Sequence, residues 1–349
     1  MAEQERARHP WTSVRAIVAC VTATLMCLIP GGAHADDASP PDHCAAVPFP
    51  VPNGVMGATL CLPAAGPTDR VMVLLPGSNY NHTYWDFPYV PQTYNFRRAM
   101  NAAGYATLVV DRLGIGASSR PPSMLVTATG SAQALHEIVQ ALRRGLAGAQ
   151  PFAKVIIGGH SLSSGIDVLE ASTYHDVDGV VLTGFSHALN VPEVLGVMAT
   201  YQQAVQDPRF AGSGYDPGYL VTQPGTRARD FHAPDDADPD VIAVDESTKD
   251  VFAPTEYPDG LTSTIPPMTN LVTAPVLVVN GSLDRLSCGP GYAVCANAET
   301  LYATEAPFFG PTARLRTFVL AGSGHSVNLA RNTAEYQAAV VEWADSILE

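Results

Sequence analysis

The sequence predicts an α/β fold: a mostly parallel sheet with helices on both faces. Three observations lead there. Short, wholly apolar runs alternate with segments of helical spacing along most of the chain. The small polar and ionisable residues that carry chemistry follow directly after those runs. One long stretch, 188–270, breaks the rhythm, which then resumes.

The elements follow in order. Residues 36–55 are rich in Pro and Asp and read as an irregular lead-in to a domain spanning 56–349. "RVMVLLPG" (70–77) is a buried strand, and "YNFRRAMNAAG" (94–104) is a helix ending at Gly104. "YATLVVD" (105–111) is a strand, and 127–146 carries apolar residues at helical spacing. "KVIIGGH" (154–160) is a strand, 164–172 a helix and "DGVVLTGF" (178–185) a strand. After the interruption come strand "APVLVVNG" (274–281), a helix near 296–306, strand "LRTFVLAG" (315–322) and a last helix over 333–348. Unbroken apolar strands separated by helices imply a sheet covered on both faces.

The interruption is rich in Pro, Gly, Asp and aromatics and is expected to form a lid above the sheet. Its acidic part, 231–246, is expected to face solvent. Its apolar parts, "VLGVMATYQQ" and "GYLVTQPG", fit either an acyl pocket or the lid's own core.

The N-terminus reads as an export signal. Arg6, Arg8 and Arg15 lead into the apolar run at 16–30, and "GGAHA" offers a cleavage site after Ala35. That run is too short for a comfortable membrane span, and no later segment supplies one, so no stable span is expected after cleavage. An uncleaved anchor is the competing reading. The apolar stretch before Cys20 is too short for a lipoprotein signal. Loss of residues 1–35 takes the net charge from −14 to −15. An acidic chain without a basic cluster is a poor nucleic-acid binder.

Four of the six cysteines lie beyond the leader. Export permits oxidation, and Cys44–Cys61 and Cys288–Cys295 each bracket a short loop, so these pairings are expected. A zinc site on these cysteines would need C-x-x-C or a nearby His pair, and neither is present.

Ser161 follows strand 154–160 in "GGHSLSSG", Asp284 follows 274–281, and His325 follows 315–322. A serine hydroxyl needs a base, and the base needs a third group to orient it and stabilise its cation. The strand ends bring these three to one sheet edge. The G-x-S-x-G pattern is imperfect, because Ser163 stands where a Gly is usual. Asp111 follows a strand too, but "DRLGIGASS" reads as a turn whose carboxylate holds backbone. His160 is expected to pack beside the nucleophile. His82, Tyr80, Tyr84 and Trp85 fit a pocket lining or a structural cluster equally, as do His187 and Asp86.

"LLPGSN", "VVDRLGIGASSRP", "GGHSLSSG", "LVVNGSLD" and "GSGHSVNL", in this order, resemble the α/β-hydrolase superfamily across 74–329. Within it the chain is most similar to secreted actinobacterial esterase/lipase-like serine hydrolases. The resemblance implies an eight-stranded, mostly parallel sheet with a lid insertion after strand six. It implies Ser161 as nucleophile, Asp284 as acid and His325 as base. The oxyanion donors would be the backbone N–H groups of Leu162 and Ser78, with Asn79 next. The implied reaction is hydrolysis of a small-molecule ester or lactone through an acyl-enzyme, with no cofactor and no metal. A nucleophilic Asp, as in epoxide hydrolases and haloalkane dehalogenases, is excluded by Ser161. Hydroxynitrile lyases and cofactor-free haloperoxidases share such a triad. Acyl transfer or thioesterase-like cyclisation, and a non-catalytic binding protein, are the rival readings.

Overall fold

The computed structural model describes residues 43–146 and 150–348; the export signal expected over 1–35 lies outside them. Eight strands form one sheet in the order β1-β2-β4-β3-β5-β6-β9-β10. The strands are β1 His43–Val51, β2 Gly54–Leu62, β3 Arg70–Leu75, β4 Ala106–Val110, β5 Lys154–His160, β6 Gly179–Thr183, β9 Val276–Gly281 and β10 Arg316–Leu320. β2 runs antiparallel to both β1 and β4, and the other pairings are parallel. The cap adds a small separate pair, β7 Tyr201–Gln203 and β8 Leu220–Thr222.

The central strands are apolar because both faces are covered. On β3, Val71, Val73 and Leu75 pack with α3 (Ala128–Arg144) and α4 (Leu162–Tyr174). The alternate Met72 and Leu74 pack with α2 (Phe96–Ala102) and α10 (Thr333–Leu348). Short α1 (Pro91–Tyr94) precedes α2, and α9 (Ala298–Glu305) sits beside β10. α3 buries Leu135, Ile138, Val139 and Leu142 at helical spacing. It starts at Thr127, whose side chain accepts from Gly130 N.

The expected lead-in over 36–55 is corrected in part. Residues 43–51 are strand β1, joined to β2 by a tight turn at Asn53, whose φ is 71°. β1 is an edge strand, largely exposed. It therefore tolerates Pro48 and Pro50 and lacks the apolar alternation that marks a strand. Cys44 and Cys61 stand directly opposite and form a disulfide. Cys288 and Cys295 form the second.

The insertion between β6 and β9 carries α5 Val191–Met198, α6 Arg227–Phe231, α7 Pro239–Thr248 and α8 Glu256–Gly260. It has its own core, in which Phe210, Tyr215, Tyr219 and Val221 pack against Ile115 and Val126 of the sheet domain. The acidic 231–246 segment does not simply face solvent. Asp236 and Asp245 are buried, because each holds a partner distant in sequence: Gly324 and Arg227, respectively. Among the described residues no helix is long and apolar enough to cross a membrane.

Candidate active site

Three parallel strands deliver the site. β5 ends at His160, and Ser161 forms the turn into α4. Its φ of 54° and ψ of −118° are strained for a non-glycine residue. The surroundings hold it there. Ser161 N donates to Thr183 O at 2.7 Å, and the one Ser164 hydroxyl proton is shared between Gly159 O and Thr183 O, each 2.9 Å from Oγ. A Cβ on Gly159 would lie 2.4 Å from the Ser163 carbonyl carbon, so only glycine lets α4 approach β5 this closely.

Asp284 follows β9 and is fully buried. One carboxylate oxygen accepts from Leu286 N at 2.8 Å and Ser287 N at 3.1 Å. The other pairs with His325 Nδ1 at 2.8 Å. That contact directs His325 Nε2 elsewhere; it is buried and has no hydrogen-bond partner among the described residues. Ser161 and His325 line one cavity of about 100 Å³. The structure thus pairs Asp284 with His325 and sets His325 and Ser161 on one cavity.

Leu162 is the first residue of α4, where an amide has no intrahelical acceptor. Ser78 lines the same cavity, and its hydroxyl meets Tyr257 Oη at 3.0 Å. Gly77 allows the Ser78 loop to come close, since a Cβ there would lie 3.1 Å from the Ser161 Cβ. Asn79 is turned to the cap instead. Its carbonyl accepts from Arg227 and from Asp250 N, and its side chain accepts from Thr222 N.

Ser163 has no need of a glycine backbone, because it lies within α4 and not at positive φ. Its hydroxyl donates to Pro76 O at 2.6 Å and accepts from Arg112 Nε at 3.2 Å. Arg112, fully buried, also donates to Gly77 O and pairs with Glu256 of the cap. Burial holds the Glu256 acid above the usual carboxylate range, more than the attraction of Arg112 lowers it.

The remaining candidates are structural. Asp111 accepts from His82 N and Ala117 N and meets the His82 ring at 2.8 Å. His160 is fully buried, stacks on Tyr84 at 4.3 Å and lies 4.8 Å from the His325 ring. Burial, then the neighbouring His325, holds its pKa well below the usual imidazole value, so it stays neutral. Tyr80, Tyr84 and Trp85 pack in the core beneath the site. His187 is held by Glu305 at 2.5 Å and stacks on Phe308, and Asp86 pairs with Arg97.

The cap supplies the apolar lining of the cavity: the "VLGVMATYQQ" stretch gives Val194, Val197, Met198 and Tyr201, while Phe231 and Tyr257 come from segments that the sequence did not mark for it. Asp236 accepts from Gly324 N at 2.7 Å and from the Ser323 hydroxyl, steadying the loop that bears His325. Arg227 pairs with Asp245 through two nitrogens, and the attraction of Arg227 overcomes burial to draw the Asp245 acid down to about 2.

A strained serine at a strand–helix turn, with a His–Asp pair on later strand ends of a parallel sheet, defines the α/β-hydrolase class. The sequence profile of the Alpha/beta hydrolase family matches residues 72–340, and the chain belongs to that family. The fold is similar to a soluble variant of monoglyceride lipase from Saccharomyces cerevisiae in complex with a substrate analogue. The TM-score is 0.61 at 14% identity, covering 86% of this chain and 94% of that one. It is also similar to DcsB in complex with its substrate analogue (TM-score 0.58, 15% identity, 88% and 99% covered). A putative aryl esterase from Burkholderia cenocepacia gives a TM-score of 0.56 at 14% identity, with 87% and 99% covered. No curated protein matches at the level of sequence.

Proposed function

We propose that this protein is an exported serine hydrolase that cleaves carboxylic esters or lactones through an acyl-enzyme. The observation that carries the reading is the set of partners of His325. Nδ1 is fixed on a buried carboxylate, while Nε2 is unpaired beside the cavity that Ser161 lines. A neutral imidazole so held donates from Nδ1 and accepts at Nε2.

Ser161 Oγ attacks the carbonyl carbon while His325 Nε2 takes the hydroxyl proton. The N–H groups of Leu162 and Ser78 stabilise the oxyanion. Collapse of the tetrahedral adduct breaks the bond to the alcohol oxygen, and His325 returns the proton to it. Water then attacks the acyl-enzyme with His325 again as base, releasing the acid. Asp284 stabilises the imidazolium in both halves. The apolar lining from Val197, Met198, Phe231 and Leu286 favours a neutral, apolar acyl group of modest size. Both disulfides accord with export.

A fluorophosphonate probe tests the assignment. It should label Ser161, and Ser161→Ala should abolish both labelling and ester turnover. Retention of either would overturn it. A p-nitrophenyl ester chain-length series, with lactones and an alcohol acceptor included, then separates esterase, lactonase and acyltransferase.

A further inference from the structure

On the α3–α4 face a second cluster has polar atoms that the fold itself does not satisfy. His136 and Gln140, one turn apart on α3, both meet one oxygen of Asp176, at 2.8 and 2.6 Å. The other Asp176 oxygen is buried and has no hydrogen-bond partner among the described residues. Glu170, on α4, faces the same point. It is fully buried, its carboxyl lies against that of Asp176, and no other group among the described residues bonds either of its oxygens. One donor atom from each of His136, Glu170 and Asp176 lies within 4.8 Å of the others.

An unpaired buried carboxylate is costly, and two facing each other are more so. The nearby cation does not resolve this. Arg143 is directed at the Asp176 carbonyl and the Asp178 carboxylate. One divalent ion would neutralise both carboxylates.

We propose that His136, Glu170 and Asp176 bind one divalent first-row transition ion of the zinc type, which ties α3 to the end of the helix that begins at Ser161. One imidazole and two carboxylates suit zinc or manganese better than calcium, which takes oxygen ligands. Donors held about 2.0–2.2 Å from one tetrahedral zinc ion lie about 3.3–3.6 Å apart, so separations of up to 4.8 Å must close by as much as about 1.5 Å when the ion binds. Outer contacts of the kind that orient metal ligands are already present. Gln140 holds Asp176, and the Tyr174 ring stacks on His136 at 3.9 Å. The His136 and Asp176 side chains are 28% and 15% exposed, which gives an ion a path from solvent. The role is structural and apart from the acyl-transfer chemistry.

The test is calorimetric titration of the chelator-treated full chain with zinc chloride, paired with thermal unfolding. The expected result is one equivalent bound and a raised Tm. Asp176→Asn and His136→Gln should each weaken binding at least about 10-fold, the lower bound for loss of support at a metal site. Absence of stoichiometric binding overturns the proposal. So does binding that both variants retain, which would place the ion elsewhere. If zinc leaves the Tm unchanged while Glu170→Gln raises it, Glu170 shares a proton with Asp176 and the ion site is refuted.

Discussion

The hydroxyl of Ser163, two residues past the candidate nucleophile, donates to the carbonyl of Pro76 at 2.6 Å. The residue standing where the motif has glycine therefore ties the helix of Ser161 to the loop of Ser78. Arg112 closes the link by bonding both Ser163 and Gly77 O. Ser163→Ala leaves a buried guanidinium donor and a buried carbonyl short of a partner, at about 1–3 kcal/mol. The expected kinetic effect is a fall in kcat of about 10-fold with little change in KM, since the oxyanion donors shift more than the pocket does. Steady-state ester kinetics with urea melts check both. An unchanged kcat would show that the tie serves stability alone.

Asp236 reaches from the cap to Gly324 N, one residue before His325. Asp236→Ala should lower kcat about 10-fold by loosening the imidazole's loop, at a cost in stability of about 1–3 kcal/mol. Asp236→Asn keeps an acceptor oxygen and should restore most of the turnover. Comparing the two variants isolates the hydrogen bond from the carboxylate's charge.

The Cys288–Cys295 bridge closes a loop that begins directly after Leu286 and Ser287, whose N–H groups hold Asp284. Replacing both cysteines by alanine should cost about 2 kcal/mol through the freed loop. Turnover should fall as well, because the acid loses its fixed orientation. Thermal unfolding and kcat measured on the same preparation test this. A lower Tm with full activity would confine the bridge to stability.

Asp167 lies on α4, buried, with neither carboxylate oxygen paired among the described residues. Burial raises its pKa well above the usual carboxylate value, so the folded protein keeps its proton. Stability from this group is present in full below the unfolded pKa, about 3.9, and is lost as pH rises toward the folded value. Asp167→Asn removes that dependence. Its Tm relative to wild type should therefore be higher at pH 8 than at pH 4, read by calorimetry. A difference that does not change with pH would count against a protonated Asp167.

The parts of the site that were legible in sequence share one property: their signal is local. Ser161, Asp284 and His325 each follow a strand written as an unbroken apolar run. Strand β1 has no such signal, because an exposed edge strand needs neither alternation nor freedom from proline. The role of Ser163 was hidden for another reason. Its partner Pro76 is 87 residues away, and nothing near "SLSSG" names it. The burial of Asp236 and Asp245 was hidden likewise. An acidic run reads as solvated until Gly324 and Arg227 are seen beside it.

The insertion between β6 and β9 has a further consequence for engineering. Arg227 and Asp250 hold the Asn79 carbonyl, Asp236 holds Gly324, and Asp259 accepts from the first amides of α3. Such a segment is scaffold as much as cover. Transplanting a foreign cap onto this sheet to change specificity would strip supports from three loops at once. A chimera that retains Arg227, Asp236, Asp250, Glu256 and Asp259 and varies only the cavity-facing side chains is the one that keeps the machinery beneath in register.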